Sequence, residues 1–211
     1  NMHKQVKEKV SVGFDCIKLK IGAINFEDEL ALLKKIRKEY SGLDLELRVD
    51  ANGAFKSAEA LEKLKRLSDF HIHSIEQPIQ QGQWEEMARL CNLSPVPIAL
   101  DEELIGINDE KVMQKMLEVI RPQYIILKPS LLGGFKQSDK WVEKAASGNI
   151  GWWATSALES NVGLSAIAQW TATLDTDMYQ GLGTGQLFSN NIASPLFIKN
   201  GALHYGHHHE W

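Results

Sequence analysis

The chain has 211 residues, 44% of them hydrophobic and 24% charged, with a formal charge of −4. That balance belongs to a globular protein with a substantial core and excludes disordered, collagen-like and disulfide-scaffold classes. With no basic stripe there is no electrostatic basis for binding nucleic acid or anionic lipid, and no apolar run approaches the roughly 18 residues of a membrane-spanning helix. Small-molecule chemistry remains. The opening segment mixes both charge signs and lacks the apolar stretch of a secretory signal, and Cys16 and Cys91 stand far apart without a metal-type spacing. A cytoplasmic setting with two buried free thiols is the expectation.

In chain order, short apolar strands are expected at 16–20, 45–50, 72–76, 97–101, 124–128, 151–155 and 177–180. Between the first two, Asn25 can cap a helix whose Phe26, Leu30, Leu33, Ile36 and Tyr40 follow the 3.6-residue period. A second helix starts near Ser57 with Ala58, Leu61, Leu64 and Leu67 on one face, and others are expected at 84–91, 109–119, 135–147 and 162–173. The β-α-β-α alternation predicts a parallel sheet. Gly133-Gly134 permits a tight turn after the fifth strand, and residues 196–205 read as a hairpin around Asn200-Gly201.

Polar residues recur at the strand ends: Lys20, Asp50, Glu76, Asp101 and Lys128 are separated by steps of 30, 26, 25 and 27 residues. Each step is one βα unit, so every charged side chain falls at the C-terminal end of a strand, where a (β/α) barrel builds its active site. The strand period of two puts Lys18 with Lys20, Arg48 with Asp50, Ser74 with Glu76 and Ile126 with Lys128 on one face, while His71 and His73 should face away from it. A doubly wound open sheet is the competing architecture, but Ile21-Gly22-Ala23-Ile24 lacks the glycine spacing of its phosphate loop.

Three carboxylates side by side repel one another unless a cation neutralises them. Hard oxygen donors without histidine or cysteine favour Mg²⁺ or Mn²⁺. Lysines pointing into a barrel are costly without a task. Together the groups suit removal of a proton α to a carboxylate, with the metal stabilising the charge that develops and a lysine near other cations acting as base. The bland alternative is isolated surface acids and solvated lysines.

Lys18-Leu19-Lys20, Val49-Asp50-Ala51-Asn52, Ile75-Glu76-Gln77-Pro78, Ala99-Leu100-Asp101-Glu102 and Leu127-Lys128-Pro129-Ser130 resemble, in that order, the motifs of the muconate-lactonizing branch of the enolase superfamily. The resemblance implies a (β/α) barrel in which Asp50, Glu76 and Asp101 bind Mg²⁺, Lys20 is the principal acid/base, Lys128 lies on the opposite face and Lys18 acts beside Lys20. Asn52 and Glu102 would support them from behind, and Asn52 suits a turn equally well. Within the branch, residues 156–163 and 181–188 resemble the o-succinylbenzoate synthases, which implies dehydration of a small carboxylate substrate, with Ser156 and Gly183 at its succinyl end.

Members of that superfamily carry an N-terminal α+β capping domain and a first barrel strand ahead of the segment that begins here. The resemblance therefore implies a catalytic barrel over residues 1–194 and, over 195–211, a hairpin and tail that would pack near the missing capping domain of a longer parent. Three rivals stay open: N-acylamino acid racemization or dipeptide epimerization on the same residues, Schiff-base chemistry at Lys128, and a truncated barrel without activity. Trp152 or Trp153 could wall the pocket, and His207-His208-His209 could chelate a metal or be a purification tail.

Overall fold

Six short strands, each followed by helix, lie side by side in the order in which the chain makes them. The computed structural model describes residues 2–185 and 187–206; the His207-His208-His209 run lies outside the described residues. After α1 (Met2–Ser11) come β1 (Cys16–Lys20), α2 (Phe26–Glu39), β2 (Glu46–Asp50), α3 (Ser57–Ser68), β3 (Ser74–Glu76), α4 (Trp84–Leu93) and β4 (Ile98–Leu100). A 3₁₀ turn (Glu102–Leu104) leads to α5 (Glu110–Ile120), β5 (Tyr124–Leu127), α6 (Pro129–Leu132), α7 (Phe135–Ser147), β6 (Gly151–Ala154), α8 (Asn161–Ala172) and the strands β7 (Leu196–Lys199) and β8 (Ala202–Tyr205). Side chains cap two helix starts: Asn25, as expected, with Oδ1 accepting from the Glu27 amide at 2.9 Å, and Asp109, with Oδ1 accepting from those of Lys111 and Val112.

All neighbours from β1 to β6 are parallel and sequential, so the sheet never reverses its strand order and has no switch point. Alternate residues divide the apolar side chains into two layers. Leu19, Val49, Ile75, Leu100 and Leu127 face outward into one core with Leu33, Ile36, Leu64 and Trp141 of the helices. Ala99, Ile126 and Trp153 form a separate cluster on the inner face. A sheet with helices on one face and its own side chains on the other is the wall of a (β/α) barrel.

Two expectations need correction. Residues 177–180 are not a strand: pairing is reduced to a single parallel bridge between Thr155 and Gly181, and Gln180 Oε1, rather than a backbone carbonyl, accepts the Ala154 amide at 2.7 Å. Between this segment and β1 runs a groove of about 1230 Å³ lined by Phe14, Ile17, Leu182 and Leu203 among others, so the sheet is an open arc. His73 does not face away from the interior. It precedes β3, outside the pleat, and its ring stacks on inward-facing Tyr124 at 5.0 Å and meets Trp153 edge-on at 6.3 Å.

The hairpin forms as read, with Asn200 and Gly201 both at positive φ (51° and 71°). Its tip docks on the α1–β1 loop so closely that a Cβ at Gly201 would stand 2.0 Å from the Gly13 carbonyl oxygen. No helix among the described residues is long and apolar enough to cross a membrane. Cys16 and Cys91 are free as expected, but only Cys91 is buried; Cys16 is half-buried on the groove wall, and desolvation pushes both thiols up to about 12.

Gly201→Ala combines backbone strain with a clash worth together about 2 kcal/mol, and thermal denaturation should show a midpoint lower by roughly 4–8 °C. Iodoacetamide at neutral pH should modify neither thiol in the folded chain and both after unfolding, as counted by mass spectrometry; rapid labelling of native Cys91 would contradict the burial described.

Candidate active site

Strand register sets the charged groups at two levels. Lys20, Asp50 and Glu76 are direct partners across β1, β2 and β3, and Lys18, Arg48 and Ser74 are partners one pleat below. Glu76 pairs with Ala99, so Asp101 projects from the end of the next strand on the same face, and Lys128 follows β5 directly. All three carboxylates are buried, at 0% exposure for Asp50 and 1% for both Glu76 and Asp101.

Ammonium groups tie the acids together. Lys18 Nζ donates to Asp50 Oδ2 at 2.9 Å and to Glu76 Oε2 at 2.6 Å, and Lys20 Nζ donates to Asp50 Oδ2 at 2.5 Å. From the other side Lys128 Nζ donates to Asp101 Oδ2 and lies 4.0 Å from Glu76 Oε1. Asn52 joins Lys20 to Glu102: its Oδ1 accepts from Lys20 at 2.6 Å and its Nδ2 donates to Glu102 Oε1 at 2.8 Å. Asn52 is also the turn residue that its sequence position suggested, with φ 43°.

The electrostatics split the acids. Burial alone would favour protonated Asp50, but the Lys18 and Lys20 ammoniums hold its carboxyl below the usual range. Burial, with the Asp50 charge and the adjacent Asp101 carboxyl, pushes Glu76 well above that range against the pull of Lys18. Burial also works against the charge on Lys18, yet Glu76 and Asp50 outweigh it and keep its pKa above that of an ordinary lysine.

Among the described residues no three acidic, histidine or cysteine side chains already surround one point in ligating geometry. Lysines stand between the acids and set positive charge against the buried carboxylates. The donors still fit a hard cation: all are carboxylate oxygens, and Glu76 Oε1 is buried without a hydrogen-bond partner.

Ser156 and Gly183 are not joined to this cluster. The Ser156 hydroxyl is shared with Thr184 at 2.6 Å, and Gly183 sits on the groove side, where a Cβ would meet Ile198 and Phe14. Trp152 packs in the outer core and Trp153 in the interior, with the Arg48 guanidinium 4.0 Å over its ring. Sequence reasoning missed two residues, Gln77 and Glu103, which are buried beside Glu76 and Asp101 and hydrogen-bonded to each other. Their signal was faint: a neutral amide between a site acid and a proline, and a third acid in the run after Leu100.

The family model for the enolase C-terminal domain-like fold matches residues 1–207. The chain belongs to that family. It is 60% identical over 202 residues to the o-succinylbenzoate synthase of Desulfotalea psychrophila, covering 96% of this chain and 55% of that protein. Its fold superposes on the crystal structure of MenC from Desulfotalea psychrophila LSv54 with a TM-score of 0.91 at 58% identity, covering 96% of this chain and 56% of that one. It superposes on muconate cycloisomerase from Pseudomonas fluorescens with a TM-score of 0.87 at 27% identity, over 96% and 56% of the two chains. The chain therefore spans little more than half the length of these enolase-family relatives.

Lys18→Met removes the ammonium shared by two buried carboxylates and should cost about 2 kcal/mol, a fall in melting midpoint of roughly 4–8 °C. Carboxyls deprived of that partner bind protons more tightly in the folded than in the unfolded chain. The deficit should therefore widen as pH rises and narrow as it falls, measured by thermal melts between about pH 5 and pH 8.

Proposed function

We propose that this barrel carries out the o-succinylbenzoate synthase reaction, the Mg²⁺-dependent dehydration of 2-succinyl-6-hydroxy-2,4-cyclohexadiene-1-carboxylate to o-succinylbenzoate in menaquinone biosynthesis. The observation that carries the reading is the opposition of Lys18 and Lys20 to Lys128 across one row of buried carboxylates, in a chain so similar to a synthase of that name.

Asp50, Glu76 and Asp101 would hold the cation, which when bound supplies electrostatic stabilisation to charge gathering on the substrate carboxylate. Lys20 is the base, and its side chain is the most exposed of the three lysines, at 58% against 32% for Lys18 and 16% for Lys128. As a neutral amine its Nζ takes the proton α to the carboxylate. The same nitrogen, now an ammonium, returns a proton to the departing hydroxyl. One C–H and one C–O bond break, water leaves, and the ring becomes aromatic. Lys128, held by Asp101, keeps its charge and stabilises the developing anion from the opposite face. Lys18 is the fixed cation beside Lys20, and Asn52 and Glu102 hold Lys20 from behind. Ser156 and Gly183 are proposed to approach the succinyl end of the substrate.

The relatives are nearly twice as long, and we assign to their additional segment the tasks of closing the groove and covering the site. A cytoplasmic setting belongs to the same proposal, supported by the two free thiols.

In the protein carrying this chain, Lys20→Ala should lower the dehydration rate about 10²- to 10⁴-fold, followed by o-succinylbenzoate formation. Near-parental turnover in that variant would remove Lys20 from the mechanism. Chelation with EDTA should abolish turnover and Mg²⁺ restore it, whereas inactivation by borohydride with substrate would point to a Schiff base at Lys128. The 211-residue chain alone should turn over poorly. Exchange of the α proton in N-succinylamino acids without any dehydration would replace this reading with racemization.

A further inference from the structure

Gln77 is buried to 0% exposure, sits between Glu76 and Pro78, and its side chain reaches across to the end of β4. The ladder between β3 and β4 ends where the Gln77 amide donates to the Ala99 carbonyl at 2.9 Å. In a parallel pair the next bond would run from the Asp101 amide to the Gln77 carbonyl. That carbonyl is already taken by Gly53 on the β2 side, at 2.7 Å. The side chain supplies the missing acceptor: Gln77 Oε1 accepts from the Asp101 amide at 3.2 Å and from the Glu103 amide at 3.3 Å. These amides open the 3₁₀ turn, where helical N–H groups lack internal partners. Gln77 Nε2 donates to the Ile79 carbonyl and to Glu103 Oε2, both at 3.1 Å, and Glu103 Oε1 accepts from the Gly82 amide at 2.7 Å. The four hydrogen-bonding positions of the amide are therefore filled, a set that only glutamine or asparagine offers.

We propose that Gln77 is a positioning residue: with Glu103 it extends the pairing of β3 and β4 beyond the ladder and holds the Asp101 carboxylate on the Glu76 side, so that the two can converge on a shared divalent cation. The inference rests on the carboxylate–metal reading above. The backbone at Gln77, with φ 38°, turns the chain at the one point where its carbonyl must serve β2 and its side chain β4.

The polarity of the pair makes it testable by exchange. Gln77→Glu sets two carboxylates face to face, and Glu103→Gln sets two amide groups donor to donor if the Gly82 contact is kept. The double variant Gln77→Glu with Glu103→Gln restores every bond except the one to Ile79. Each single variant, and Gln77→Met of similar size, should weaken Mn²⁺ binding at least about tenfold by electron paramagnetic titration, and the double variant should recover to within about threefold. Hydrogen exchange of the Asp101 and Glu103 amides should quicken at least about tenfold in Gln77→Met, while ladder amides such as Ile75 keep their parental rates. A residue that merely fills the core would leave both readouts unchanged in the Met variant. Parental Mn²⁺ affinity and exchange in folded Gln77→Met overturns the proposal. Should that variant fail to fold, a double variant that binds Mn²⁺ no better than Gln77→Glu overturns it as well. A parent that binds no Mn²⁺ while Gln77→Met still frees the two amides defeats the metal reading and, with it, the purpose assigned here to the clamp.

Discussion

Three carboxylates with almost no solvent exposure stand at the ends of three adjacent parallel strands, and their mutual repulsion is the constraint around which the inner face is organised. Desolvated negative charge at that density needs opposite charge at contact distance. The chain supplies it from both flanks, Lys18 and Lys20 from β1 and Lys128 from the end of β5. The same ammoniums that neutralise the buried acids are the groups to which we assign the proton-transfer chemistry.

Layering makes this arrangement possible. Outward-facing residues of β1 to β5 form an apolar core with the helices, so the strands are held without help from the inner face. That leaves inner positions free for polar groups at the C-terminal ends, above a packed layer of Ala99, Ile126 and Trp153. Arg48 continues the polar column downward, its Nε on Glu46 and its guanidinium over Trp153. At the upper rim, where backbone pairing ends, side chains take over: Asn52 between Lys20 and Glu102, and Gln77 between the ends of β3 and β4.

Much of this was legible in the residues. Lys18, Lys20, Asp50, Glu76, Asp101 and Lys128 were identifiable because a strand alternates faces strictly and a βα unit has a narrow range of lengths, so position in the chain converts directly into position on the barrel. His73 defeated the same rule because it lies just outside the pleat, where the alternation no longer governs the ring. The stretch 177–180 looked like a strand by composition, but Gln180 took the Ala154 amide with its side chain and left a single bridge. Gln77 and Glu103 could not be read because their role depends on which backbone groups β2 and β4 leave unpaired, and that is a property of the assembled sheet.

Local order in the chain was enough to specify the parallel alternation and the level of each charged side chain, because both follow from periods of two and 3.6 residues. Only the folded molecule decided how the carboxylates are shared among the lysines, that Glu76 and Asp50 are driven to opposite sides of the usual carboxylate range, and that an amide clamp spans two strand ends. Those outcomes depend on burial and on distances between groups far apart in sequence, and neither exists until the strands have curled around a common interior.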